Sequence, residues 1–210
     1  MDIRYAEIIK WFRYNHPEKL NRLFDSLSPN QIICKQWLVE SLNKVQIPED
    51  SDNKFRIEIV GGWYGFPLIQ LLMEKFNNKI KEIDIFEIDD FACKVVWKYC
   101  ELFNYNNVRI FNEDYFMYKE CRRTHLIINT SCEHMWDMSD NKEYYEFPDR
   151  TLLALQSNNK TDEQDHINCV SSCQELLENN ELSEIYGDWK RMNQGTPDKF
   201  IRFMVMGKWK

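Results

Sequence analysis

From Phe55 onward, short apolar runs alternate with stretches of helical periodicity, and this alternation limits the possible fold more than any other feature. Phe55 to Gly61 (FRIEIVG) reads as a buried strand ending in glycine, and Pro67 to Phe76 as a helix. Lys81 to Ile88 alternates polar and apolar residues as a strand does, and Phe91 to Phe103 is helical again. Strands are expected at Val108 to Phe111, His125 to Asn129 and Thr151 to Gln156, and a helix over Ser171 to Leu177. Ile185 to Met192 and Phe200 to Met206 read as a closing pair of strands. Such an order implies a mostly parallel sheet covered on both faces. Only six glycines and six prolines among 210 residues argue against a loop-rich or all-β architecture.

The first fifty residues have a different pattern. Ile3, Ala6, Ile9 and Phe12 fall at helical spacing, and a second short helix is expected from Pro17 to Leu27. Ser28-Pro29-Asn30-Gln31 is a third helix start, with a capping Ser, Pro at the first helical position and Gln three residues after the cap. Pro48 and the polar run to Lys54 close this region. The chain therefore divides into a helical extension over residues 1–50 and an α/β domain over 51–210.

Apolar residues at 43% supply a full core, and 29% charged residues do not suggest disorder. A net charge of −7 argues against a general nucleic-acid binder, which needs a basic face, although Lys119 to Arg123 is a local basic run. Seven cysteines, an odd number without a C-x₂-C pair, suit a reducing cytoplasm. No run reads as membrane-spanning, so no membrane partner is expected.

In parallel α/β sheets, ligands collect beyond the carboxyl ends of the strands. The first such end is Val60-Gly61-Gly62-Trp63-Tyr64-Gly65, where glycine lets a backbone approach a ligand closely. A plain tight turn explains these glycines equally well. Glu87 stands at the second strand end, where a carboxylate accepts from ribose hydroxyls, and Asp114 stands after the third, placed to accept from an adenine amino group. Among Glu87, Asp89 and Asp90, Asp90 is expected to cap the following helix.

The succession IEIVGGWYG, IDIFEIDD, NEDYF and HLIINTSCEHM resembles the class I S-adenosylmethionine-dependent methyltransferases over residues 55 to 207. Wording such as NTSCEHM, LQSNN and HINC is also similar to small methyltransferase-like proteins of phages. The resemblance implies a Rossmann-like, mostly parallel seven-stranded sheet with an antiparallel last strand. It implies S-adenosylmethionine as cofactor, held by Gly61, Gly62, Gly65, Glu87, Asp114 and Asn129. The chain departs from the family at Ile59, where an acid is usual, with Glu58 one step away. NTSC also replaces the N-P-P-Y of DNA amino-methyltransferases, which disfavours base methylation.

The loops after the fourth and fifth strands share one rim. There His134, Glu133 and His166 are the candidate catalytic residues, and Ser131, Asn158 and Trp136 the candidate acceptor contacts. Each histidine also has a purely structural reading. The aromatics Trp63, Tyr64, Trp136, Tyr144, Tyr145 and Phe147 form either a pocket or packing. Cys132, His134, His166 and Cys169 lack recognised zinc spacing, so no metal is expected. The acceptor implied is a small molecule or a protein side chain, and a homo-oligomer or assembly partner stays open. Two alternatives stand beside the enzyme: an inactive scaffold or virion-associated protein, and a nicotinamide oxidoreductase, whose G-x-G-x-x-G is missing here.

Overall fold

The computed structural model describes residues 3–210. Seven strands form one sheet: β1 (Phe55–Val60), β2 (Ile80–Phe86), β3 (Val108–Phe111), β4 (Leu126–Asn129), β5 (Leu152–Asn158), β6 (Leu182–Met192) and β7 (Phe200–Trp209). Their order is β3-β2-β1-β4-β5-β7-β6. The first five run parallel, and β7 inserts antiparallel between β5 and β6. Chain order reverses between β1 and β4, which creates the crevice where ligands bind in such sheets. The strands expected from sequence all form, with β5, β6 and β7 each longer than their apolar runs.

Six α-helices accompany the sheet: α1 (Ile3–Asn15), α2 (Leu20–Ser26), α3 (Pro29–Ser41), α4 (Leu68–Phe76), α5 (Asp90–Phe103) and α6 (Cys173–Asn179). The helices α1 to α5 share one apolar core with Ile57, Ile59, Ile83, Ile85, Leu126 and Ile128 of the sheet. The helices before Pro48 therefore belong to the same core as the sheet. Phe12 sits edge-on to both Tyr64 and Phe91, which fastens α1 over the glycine turn. Two local expectations are corrected. Ser28 stands at the start of α3, but its hydroxyl makes no capping bond, and the Pro17 to Leu27 helix opens as a tight 3-10 turn.

The opposite face carries Val60, Ile127, Leu153 and Val205 and is covered by α6, Tyr115, Met138 and Tyr145. Among the described residues no α-helix lies between β3 and β4 or between β4 and β5, so loops cover this side. Glu58 of β1 points into this face. It accepts from Tyr145 Oη at 2.5 Å and from Thr124, with Arg122 at 3.8 Å. Burial pushes the Glu58 carboxyl up, and Arg122 opposes the shift. The acid near the usual motif position thus braces the back of the sheet and does not reach the crevice.

Candidate cofactor and acceptor site

The chain leaves β1 through a turn in which Gly61, Trp63 and Gly65 all take positive φ, at 63°, 47° and 73°. A tryptophan in that region is unfavourable by about 1–2 kcal/mol, and a specific bond holds it there. Glu87, directly after β2, accepts the Trp63 N–H through Oε2 at 2.7 Å and the Asp89 N–H through Oε1 at 2.9 Å. The carboxylate and the bend are therefore side by side. Asp89, not Asp90, caps α5, accepting the Phe91 and Ala92 N–H groups at 2.8 and 3.2 Å. Asp90 lies one residue inside the helix, exposed and paired with Lys94. Arg22 of α2 meets Asp89 at 2.7 Å, so the N-terminal helices reach this rim.

A cavity of about 620 Å³ opens at the switch point, within the usual range for small-molecule sites. Val60, Gly61 and Trp63 form one part of its wall, Phe86, Glu87 and Ile88 a second, and Glu113 to Phe116 a third. Ser131, His134, Met135, Trp136 and Asp165 complete it, with Gln31 entering from α3. The three glycines do different work. A Cβ on Gly61 would meet the flexible end of Met135, whereas Gly62 and Gly65 are required by close packing on Ile85 and Ile69. Gly61 alone of the three lines the cavity; the other two line a small recess of about 30 Å³ behind it, with Lys35. Burial, and secondarily Arg202, push the Lys35 ammonium down to about 8.

The remaining expected residues separate into two groups. Asp114, Ser131, His134 and Trp136 line the cavity, whereas Asn129, Glu133, Asn158 and His166 do not. Asn129 is fully buried and shapes the chain after β4 by accepting the Ser131 N–H at 2.9 Å. Asn158 is buried and accepts the Lys160 N–H at 2.8 Å. Glu133 is buried, with its Oε1 in an ion pair with Arg202 at 3.0 Å, and does not line the cavity. His134 and His166 come together edge to face, with ring centroids 4.6 Å apart. Cys132 is buried with its thiol pushed far up, which leaves no nucleophile there. Tyr64 and Tyr145 are core residues, while Trp63 and Trp136 face the cavity.

Sequence reasoning missed Ile88, Met135, Asp165 and the two residues from α3, Gln31 and Lys35. Ile88 carried a signal: an isoleucine directly after the strand-end acid, 73% exposed in the fold. Gln31 and Lys35 carried none, because nothing local links α3 to a turn thirty residues later.

The sequence matches no protein-family model and no curated protein. Solved structures are more informative. A putative sarcosine dimethylglycine methyltransferase from Galdieria sulphuraria superposes with a TM-score of 0.62 at 11% identity, covering 85% of this chain and 86% of its own. The fold is that of the class I methyltransferases. An S-adenosylmethionine-dependent methyltransferase from Aquifex aeolicus gives 0.59 at 15% identity, over 90% and 97% of the two chains. The N-methyltransferase NodS from Bradyrhizobium japonicum WM9 gives 0.59 at 13%, over 87% and 98%. In open parallel sheets ligands collect where the strand order reverses, here between β1 and β4, and the cavity lies there. Among the described residues no helix is long and apolar enough to cross a membrane.

Proposed function

We propose that this protein is an S-adenosylmethionine-dependent methyltransferase whose acceptor is a small molecule or a protein side chain. The observation that carries the reading is the Glu87 carboxylate at the end of β2, bonded to the glycine turn and lining a large cavity. The residues there fit an adenosine. Glu87 and Asp114 offer acceptors for hydroxyl and amino donors, and exposed Ile88 and half-buried Phe116 offer apolar surface for a flat ring. Gly61 keeps that part of the wall free of a Cβ, and Met135 is flexible enough to turn aside. Lys35, at the recess beside Gly61, supplies a positive charge suited to the carboxylate of an amino acid.

When bound, S-adenosylmethionine supplies an electrophilic methyl group on its sulfonium. This chain's own task is to align an acceptor lone pair and remove a proton. We assign the second step to His134. Its Nδ1 lies 3.2 Å from the carbonyl and 3.2 Å from the carboxylate of Asp165, which fixes the ring hydrogen on Nδ1 and leaves Nε2 as the acceptor. Trp136, 67% exposed and lining the same cavity, offers an acceptor a flat surface. Seven free cysteines favour a reducing compartment, and we assign the protein to the cytoplasm. Incubation with S-adenosylmethionine and a panel of amine, hydroxyl and peptide acceptors tests the reading. Release of S-adenosylhomocysteine that depends on one acceptor class and falls in His134→Ala is expected; no release with any acceptor counts against it.

A further inference from the structure

The loops after β4 and β5 bring three metal-ligating side chains together and leave a lone pair unused on each. One nitrogen from each of His134 and His166 and one carboxylate oxygen of Glu133 lie within 4.8 Å of one another. His166 Nδ1 stands 2.6 Å from the Lys160 carbonyl. A carbonyl only accepts, so this Nδ1 carries the hydrogen and Nε2 the lone pair, as in His134. Metal-binding histidines almost always give their other ring N–H to a carbonyl or carboxylate, and both do so here. Glu133 completes the pattern. Its Oε1 accepts from Arg202 at 3.0 Å, whereas Oε2 is buried with no partner among the described residues. A buried carboxylate oxygen without a donor is costly and calls for an explanation, and a cation supplies one.

We propose that Glu133, His134 and His166 bind one divalent first-row transition-metal ion, of the zinc kind, beside the cavity. Two imidazoles with one carboxylate suit zinc and cobalt; magnesium and calcium prefer all-oxygen shells. Ligands at about 2.0–2.1 Å from a tetrahedral ion stand roughly 3.4 Å apart, so atoms within 4.8 Å of one another must draw in by up to about 1.4 Å. His134 is exposed and both histidines sit outside the strands and α-helices, where small rotations are cheap. Three protein ligands leave a coordination position open, and His134 among them lines the cavity. An ion on His134 takes its Nε2 lone pair, so removal of the acceptor's proton by His134 belongs to the metal-free protein. The site needs only these three side chains and stands whether or not the cofactor assignment does.

The test is titration of the full, reduced chain with Zn²⁺ alone by calorimetry and with Co²⁺ alone by absorption spectroscopy, each reversed by chelator. One ion per chain is expected. His134→Ala and His166→Ala should each weaken binding by at least about 100-fold, more than losing an outer hydrogen-bond partner does. Glu133→Gln should weaken it as well with the thermal midpoint as a check on folding, and Cys169→Ser should bind as the wild type does. His166→Ala carries the test if Glu133→Gln fails to fold, because His166 is a half-buried loop residue. No stoichiometric binding, or binding undiminished in both histidine variants, overturns the proposal. So does a thiolate-to-cobalt band that disappears in Cys169→Ser, since Cys169 Sγ lies 3.6 Å from His166 Nδ1 and would then be the true ligand. A parallel titration with S-adenosylhomocysteine keeps failure of the metal site separate from failure of the cofactor reading.

Discussion

Two glycine-to-alanine changes separate the backbone's demand for glycine from the ligand's. Gly61 holds φ at 63° beside the cavity, and Gly195 holds φ at 85° in a surface turn with nothing within 4 Å of a built Cβ. Alanine in the left-handed region costs about 1–2 kcal/mol at either place. For a chain of this size that is a fall of about 2–8 °C in melting temperature. At Gly61 the new methyl meets only the end of Met135, an unbranched side chain that yields easily, so the stability loss should match that of Gly195→Ala. The binding losses should differ. A methyl added to the cavity wall overpacks a bound ligand by about 1–3 kcal/mol, roughly five- to 150-fold in Kd. Thermal unfolding followed by tryptophan fluorescence gives the first quantity, and calorimetry with S-adenosylhomocysteine gives the second. Equal affinity in the two variants would refute the placement of Gly61 against the cofactor, and a Gly61→Ala protein that unfolds would refute the strain reasoning.

Other perturbations test the surrounding framework. Asp89→Ala removes the α5 cap and the Arg22 pair and should lower stability by about 1–2 kcal/mol, whereas Asp90→Ala should cost under about 0.5 kcal/mol, both read from urea unfolding. Arg202→Met strands the Glu133 carboxylate in the interior and should cost about 3–5 kcal/mol, most of it recovered when Glu133 is also made apolar; equal stability in the single variant would contradict the buried pair. Burial would raise the Asp50 carboxyl, but Lys81, His125 and Arg123 outweigh it and hold its folded pKa low. Its contribution is therefore present above the ordinary carboxylate value near about 3.9 and is lost as pH falls through the depressed folded value. The stability gap between wild type and Asp50→Asn should close below about pH 4, and a gap that widens there would reverse the sign.

The architecture was legible because strand ends announce themselves locally. FRIEIVG and KEIDIFEI pair a buried apolar run with a glycine or an acid at its end, and both residues landed on one rim. Glu87 was readable for that reason, and Asp114 and Trp136 with it. Contacts between distant segments were not readable. Glu133 reads as a candidate catalytic acid beside a histidine until Arg202, 69 residues later, arrives on β7 to bury it. Asn129 and Asn158 read as cofactor and acceptor contacts, yet each is buried and bonded to the backbone two residues on. The neighbours Asp89 and Asp90 show how little a one-residue difference registers in sequence, since both suit a helix start and only backbone geometry selects the cap. The α3 residues at the cavity were invisible because helical periodicity says which face is buried and not what it is buried against.

The most direct measurement is calorimetric titration of the wild-type chain and Glu87→Ala with S-adenosylhomocysteine, with melting curves run alongside. One molecule should bind per wild-type chain. The variant should stay folded and bind more weakly by about 1.5–3 kcal/mol, the worth of a hydrogen bond to a charged group. Absence of heat and of any melting shift in the wild type, or equal affinity in a folded Glu87→Ala protein, would contradict an adenosine site beside the glycine turn.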